Sequence, residues 1–238
     1  SCRLISAAMD GVAAEYARAR LAGKPVSLMT AGAGGNLDPR CISGDPAVME
    51  RQARKLGKAL VAAARAGRRC PGTLRSALAT LRLPLMAMSR RELLAEYGRS
   101  IGAMPRDQGM GRRVRVAMKE WRDDTLSVIR RGDRASIPVE VQVVRIGPVA
   151  FVGIGAEVFS RMADDLRAAC GPAVYVVGYA NGDFGYLPFR EIYPEGGYEV
   201  NDAYKYYDTC FMVAPGGFEK VRDEAVKLLR RAGTGCYT

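Results

Sequence analysis

Apolar residues recur along this chain in two rhythms, and the switches between them lay out its elements. From Leu4 to Leu21 they return at helical steps (Ile5, Ala8, Val12, Tyr16), which predicts an amphipathic helix stopped by Gly23 and Pro25. Val26 to Thr30 reads as a short buried strand, and AGAGGNLDPR after it as a Gly-rich turn. Asp45 predicts an N-cap, with Pro46 in the first turn of a helix running to about Ala66. Its stripe is Met49, Ala53, Leu56, Leu60 and Ala63, and Gly67 stops it. Thr73 to Leu85 alternates in part, which predicts a strand carrying Leu81, Leu83 and Leu85 on one face. Two basic helical segments follow, Ser89 to Ser100 and about Asp107 to Arg131.

The second half is more regular. Ile137 to Ile146 sets Ile137, Val139, Val141 and Val143 against Pro138, Glu140, Gln142 and Val144. With Gly147-Pro148 as a tight turn and Val149 to Ile154 as a returning strand, this reads as a hairpin. Glu157 to Ala169 has a helical stripe of Phe159, Met162, Leu166 and Ala169, and Val174 to Tyr179 reads as another buried strand. Tyr204 to Val213 reads as a strand, and Pro215 opens a last helix with Phe218, Val221, Ala225 and Leu228 inward. Helices interleaved with strands, some of them antiparallel, predict an α/β fold: mixed sheet layers flanked by helices, taken as one domain over 1–238.

Composition narrows the picture. With 48% hydrophobic residues and 26% charged, 238 residues can bury a sizeable core. No run is long enough to span a membrane, and no signal peptide pattern is visible. The net charge of +11 is compatible with nucleic acid, but it reads more simply as Arg spread over solvated helix faces. Six scattered cysteines contain no CxxC pair, so a zinc ribbon is not supported, and buried free thiols are the expectation. There is no histidine at all, so any site must work without imidazole or borrow it.

The candidate chemistry gathers in ANGDFGYLPFREIYPEGGYEV, residues 180–200, after the strand ending at Tyr179. It is too rich in Gly and Pro for a helix interior and too aromatic for a linker; ordered loops of this kind carry function. It is also locally acidic, which attracts cations and repels phosphates. Glu157 is expected at a strand-to-helix junction, as a helix-dipole partner or as a functional acid. AGAGGN lacks the third glycine of a dinucleotide fingerprint and the Lys-Ser/Thr of a P-loop, so it reads as a turn that admits another backbone. Glu157, Asn181, Tyr186 and Tyr198 together place a carboxylate, an amide and two phenols at neighbouring strand ends. Such a set can bind a cation and polarise a carbonyl.

GPVAFVGIGAEVF, VYVVGYANGDFGYLPFREIYPEGGYEV and APGGFEKVRDEAVKLL together resemble the second half of the catalytic domain of neutral/alkaline non-lysosomal ceramidases. ISAAMDG and MTAGAGGNLDPR are similar to that family's helix start and Gly-rich turn, whereas 42–134 matches only loosely. The resemblance implies a zinc amidase that cleaves the N-acyl bond of a lipid-like substrate. It implies Glu157 and Tyr186 as metal ligands and Tyr198 as the catalytic phenol at the substrate carbonyl. Asn181 and Gly32 would lie against substrate. In the family two histidine ligands precede ISAAMDG, so the resemblance implies a domain incomplete at its N-terminus, with two zinc ligands from a missing segment or a second chain. Ala31-Gly32-Ala33 stands where ceramidases carry a serine by the metal. Two other readings are a non-catalytic scaffold of the same fold and a basic nucleic-acid module using Arg112, Arg113, Arg115, Lys119 and Arg122.

Overall fold

The alternation around Val141 builds the central sheet. In the computed structural model, which describes residues 8–39, 43–68, 70–103, 110–133 and 136–236, β2 (Ser136–Ile146) buries Val139, Val141 and Val143. It pairs antiparallel with β1 (Leu74–Pro84) on one side, setting Leu83 opposite Ile137 and Leu81 opposite Val139. On the other side it pairs antiparallel with β3 (Val149–Ile154), closing the expected hairpin. From β3 the chain enters a two-residue strand, β4 (Glu157–Val158), and then α5 (Arg161–Cys170). The helix crosses over so that β5 (Val174–Val177) lies parallel to β3, giving the sheet order β1-β2-β3-β5. A short strand β6 (Tyr186–Leu187) pairs with β4 in a second, parallel sheet.

Contacts divide the chain into two compact units, Ser1–Ala31 with Asp38–Pro71, and Gly32–Leu37 with Gly72–Thr238. In the first, α1 (Ala8–Arg18) packs on α2 (Pro46–Ala66). Asp45 accepts the Ala47 N–H at 2.9 Å as the expected cap, with Pro46 at the start. The buried face of α2 is Ala53, Gly57 and Val61, rotated one position from the predicted stripe because Tyr16 of α1 lies on Gly57. A side chain at 57 would meet that ring at 2.7 Å.

In the second unit α5 and α7 (Gly217–Arg231) cover one face of the sheet. Phe218, Val221, Ala225, Leu228 and Leu229 are buried against the sheet valines, each of the larger four contributing about 1.5–3 kcal/mol of burial. A smaller core joins α3 (Arg90–Gly102) and α4 (Met110–Arg131) through Leu93, Met118, Trp121, Tyr204 and Met212. Ser89 and Glu92 form a reciprocal capping box that starts α3.

Four expectations are corrected. Val26–Thr30 is not a strand: no ladder takes it up, and Val26 and Leu28 are more than four-fifths exposed. Glu157 is not in a first helical turn, because the β4–β6 pairing claims it and the helix starts at Arg161. Tyr204–Val213 holds a 3-10 turn (Ala203–Tyr206) and a single bridge from Val213 to Leu85, in place of a strand. Cys170 and Cys236 are joined in a disulfide and not free, because the chain after α7 folds back to the end of α5. Cys210 is a buried free thiol as expected, whereas Cys70 is free but exposed; Cys2, Cys41, Ile5 and Asp107 lie outside the described residues.

Candidate functional site

Three pieces of backbone meet at Glu157. Its Cα is the register partner of Tyr186, and its N–H donates to the Gly185 carbonyl at 2.9 Å. On the other side the Gly-rich turn runs close enough for the Gly35 N–H to reach the Val158 carbonyl at 2.8 Å. A Cβ at position 35 would stand 2.6 Å from the Glu157 carbonyl oxygen, so only glycine fits. Asn36 completes the clamp by accepting the Ser160 N–H at 2.8 Å. The turn thus does what its composition suggested and admits a neighbouring backbone.

The Glu157 carboxylate is ringed by phenols. Tyr179 donates its hydroxyl to Oε2 at 2.9 Å, and Tyr207 donates to Oε1. Burial first, and then the hydrogen bond and charge of Glu157, push the Tyr179 phenol up to about 12. The same causes push Tyr207 further up. Tyr186 is also held well above its ordinary value, by burial and next by Glu157. Tyr198, in the four-residue helix α6 (Tyr198–Asn201), sets its ring edge-to-face on Tyr186 at 6.1 Å. Burial raises this phenol too, followed by Tyr206 and Glu157. Its hydroxyl has no hydrogen-bond partner among the described residues and is half exposed. Asp183 is raised by burial; the Gly185 N–H opposes that, and the Glu157 charge adds to it.

These phenols make a prediction about alkaline pH. A tyrosine ordinarily ionises near 10. With the folded value raised to about 12 for Tyr179, the unfolded chain loses its proton first. The stability that this supplies is intact below about pH 10 and is lost as pH rises through the folded value. Denaturation midpoints should therefore fall steadily between pH 10 and 12; a flat profile there would contradict the raised phenols.

Of the residues singled out in the sequence, Glu157, Tyr186 and Tyr198 come together. Asn181 turns away: its amide donates to Glu140 and, at 3.4 Å, to Gln142 on β2. Gly32 lies beside the end of β5, its carbonyl 3.1 Å from where a Cβ of Gly178 would stand. Tyr179 and Tyr207 were missed. Tyr179 stands two residues beyond β5 with a left-handed φ of +56°, a conformation tolerated where the surroundings hold it. Tyr207 stood in a segment read as a strand, where its side chain had no reason to point at Glu157.

The chain's donors match part of a zinc site. A catalytic zinc takes three protein ligands. Here one carboxylate and an adjacent phenol are offered, there is no histidine in the sequence, and among the described residues no three His, Cys, Asp or Glu side chains gather.

No family profile and no curated protein matches this chain. Solved structures do, two ceramidases among them. One is the neutral ceramidase from Pseudomonas aeruginosa, at 18% identity and a TM-score of 0.56, covering 100% of this chain and 42% of that one. The other is a ceramidase complexed with C2, at 18% identity and a TM-score of 0.58, covering 100% of this chain and 44% of that one. The fold resembles that of bacterial neutral ceramidases. The chain spans less than half the length of the ceramidases it matches.

Proposed function

We propose that this chain is part of the catalytic domain of a zinc-dependent amide hydrolase that cleaves an N-acyl bond in a lipid-like substrate, and that 1–238 folds as one piece of that domain. The observation that carries the reading is the pairing of β4 with β6, which sets Glu157 beside Tyr186, whose ring in turn meets that of Tyr198. Zinc, when bound, supplies Lewis-acid polarisation of the amide carbonyl and acidification of a water. The residues of this chain hold and aim. Glu157 and Tyr186 would be ligands, with two more from outside these 238 residues. Tyr179 and Tyr207 fix the Glu157 carboxylate. Tyr198 stays protonated at neutral pH and donates its free hydroxyl to the carbonyl oxygen as charge builds there. Gly32, beside the end of β5, would border the substrate, and Asn181, held by Glu140 and Gln142, would support that strand end without facing the substrate.

The ligand count gives the test. The 238-residue chain should bind zinc weakly and release no fatty acid from an N-acyl amide. A polypeptide reaching further toward the N-terminus should bind zinc tightly and release the fatty acid. Equally tight zinc binding by both would count against outside ligands, and a zinc-loaded longer polypeptide without turnover would favour the non-catalytic scaffold. The nucleic-acid reading has less support: of its basic residues, Arg122 lies over the Tyr97 ring at 4.7 Å and pairs with Asp123 at 2.7 Å.

A further inference from the structure

Tyr207 has a second side. While its hydroxyl donates to Glu157, the residue also lines a cavity of about 470 Å³ between α4 and residues 205–210. That volume falls in the range of small-molecule sites. Trp121 and Tyr206 supply aromatic wall, and Glu120 and Asp124, one turn apart on α4, supply carboxylates together with Asp208. None of these three carboxylates has an ion-pair partner among the described residues. The two cations that also line the cavity are already neutralised. Lys205 is held by Glu96 at 2.5 Å and Asp202 at 2.7 Å, and Arg131 by Asp133 at 2.7 Å. The carboxylate charge reaches Cys210, which also lines the cavity. The buried Cys210 thiol is pushed up by burial first, and the charges of Asp124 and Asp208 add to that, with Thr125 and Arg131 opposing.

We propose that this cavity binds an organic ammonium, the protonated amine product released by the site at Glu157. An aromatic wall with uncompensated carboxylates selects a cation carrying an apolar stem over a neutral or anionic one. The assignment as an amine subsite rests on the hydrolase reading. There, amide plus water gives a carboxylate and an amine, and the amine takes up a proton at neutral pH. Tyr207, which lines the cavity and donates to Glu157, links the two sites.

Trp121 is the only tryptophan in the chain, so its fluorescence reports the cavity directly. Titrated with n-butylammonium chloride, the 238-residue chain should give a saturable change, and n-butanol or butyrate should give none. The apparent affinity should fall as sodium chloride rises. A double variant, Asp124→Asn with Asp208→Asn, should bind about tenfold more weakly. No saturable change, an equal response to butanol, or salt-independent binding would each overturn the proposal. The measurement needs no metal and no turnover. Amine binding by a protein that never hydrolyses amides would sink the hydrolase reading and keep the cavity; turnover without amine binding would do the reverse.

Discussion

Lys205→Ala is expected to destabilise the larger unit by about 3 kcal/mol, at the low end of what breaking a buried ion pair costs. The Lys205 side chain is 1% exposed, and all three of its donors are used: Glu96 Oε1 at 2.5 Å, Asp202 Oδ1 at 2.7 Å and Ser100 Oγ at 3.1 Å. It pins α3 to the segment that follows α6, and its ammonium lies 5.6 Å from the centre of the Trp121 ring. Burial pushes the Glu96 carboxyl up, but the hydrogen bonds and charges of Lys205 and Arg99 outweigh it, and the group ends below its ordinary value. Removing the ammonium leaves two carboxylates near one another and an unfilled space. The cost stays at the low end because Asp202 is half exposed and Glu96 keeps Arg99. Lys205→Met fills the space and should cost less. Urea midpoints followed by far-ultraviolet circular dichroism separate the two, and equal, small losses in both would show that the ion pair contributes nothing.

Tyr198→Phe should lower kcat of the longer, zinc-loaded polypeptide about 10²–10³-fold, the usual effect of deleting one oxyanion donor. The ring contact with Tyr186 at 6.1 Å survives the change, so KM and zinc content should barely move. The raised phenol keeps its proton well above neutral pH, so the loss should be the same across the neutral range. A fall in zinc content instead would make Tyr198 a support for the ligands and no donor to substrate.

Much of the fold was legible because burial and periodicity agreed. The β2–β3 hairpin and the α7 stripe are one-sided patterns, and the Asp45-Pro46 start is a local chemical signal that needs no tertiary context. Val26–Thr30 failed because an apolar run gives no information on whether a neighbouring strand exists. Glu157 was assigned the right neighbours and the wrong element. A two-residue strand has no period to read, and it forms only because residues 185–187 come back alongside it. The Cys170–Cys236 bond was invisible for the same reason: 66 residues separate cysteines that only the return of the chain after α7 brings together. Tyr186 and Tyr198 were legible as loop residues and Glu157 as a strand-to-helix junction residue, all at strand ends, whereas Tyr179 and Tyr207 required knowing where β5 stops and how residues 203–210 turn.

Everything functional here depends on Glu157 being the shared acceptor of the surrounding phenols. Glu157→Gln tests this directly, in an alkaline titration of tyrosinate absorbance on the 238-residue chain. Removing the charge should bring the Tyr179 ionisation down from about 12 toward the ordinary value near 10, with burial retaining part of the shift, and should lower the most resistant phenols with it. A titration curve that superimposes on the unsubstituted protein would contradict the account.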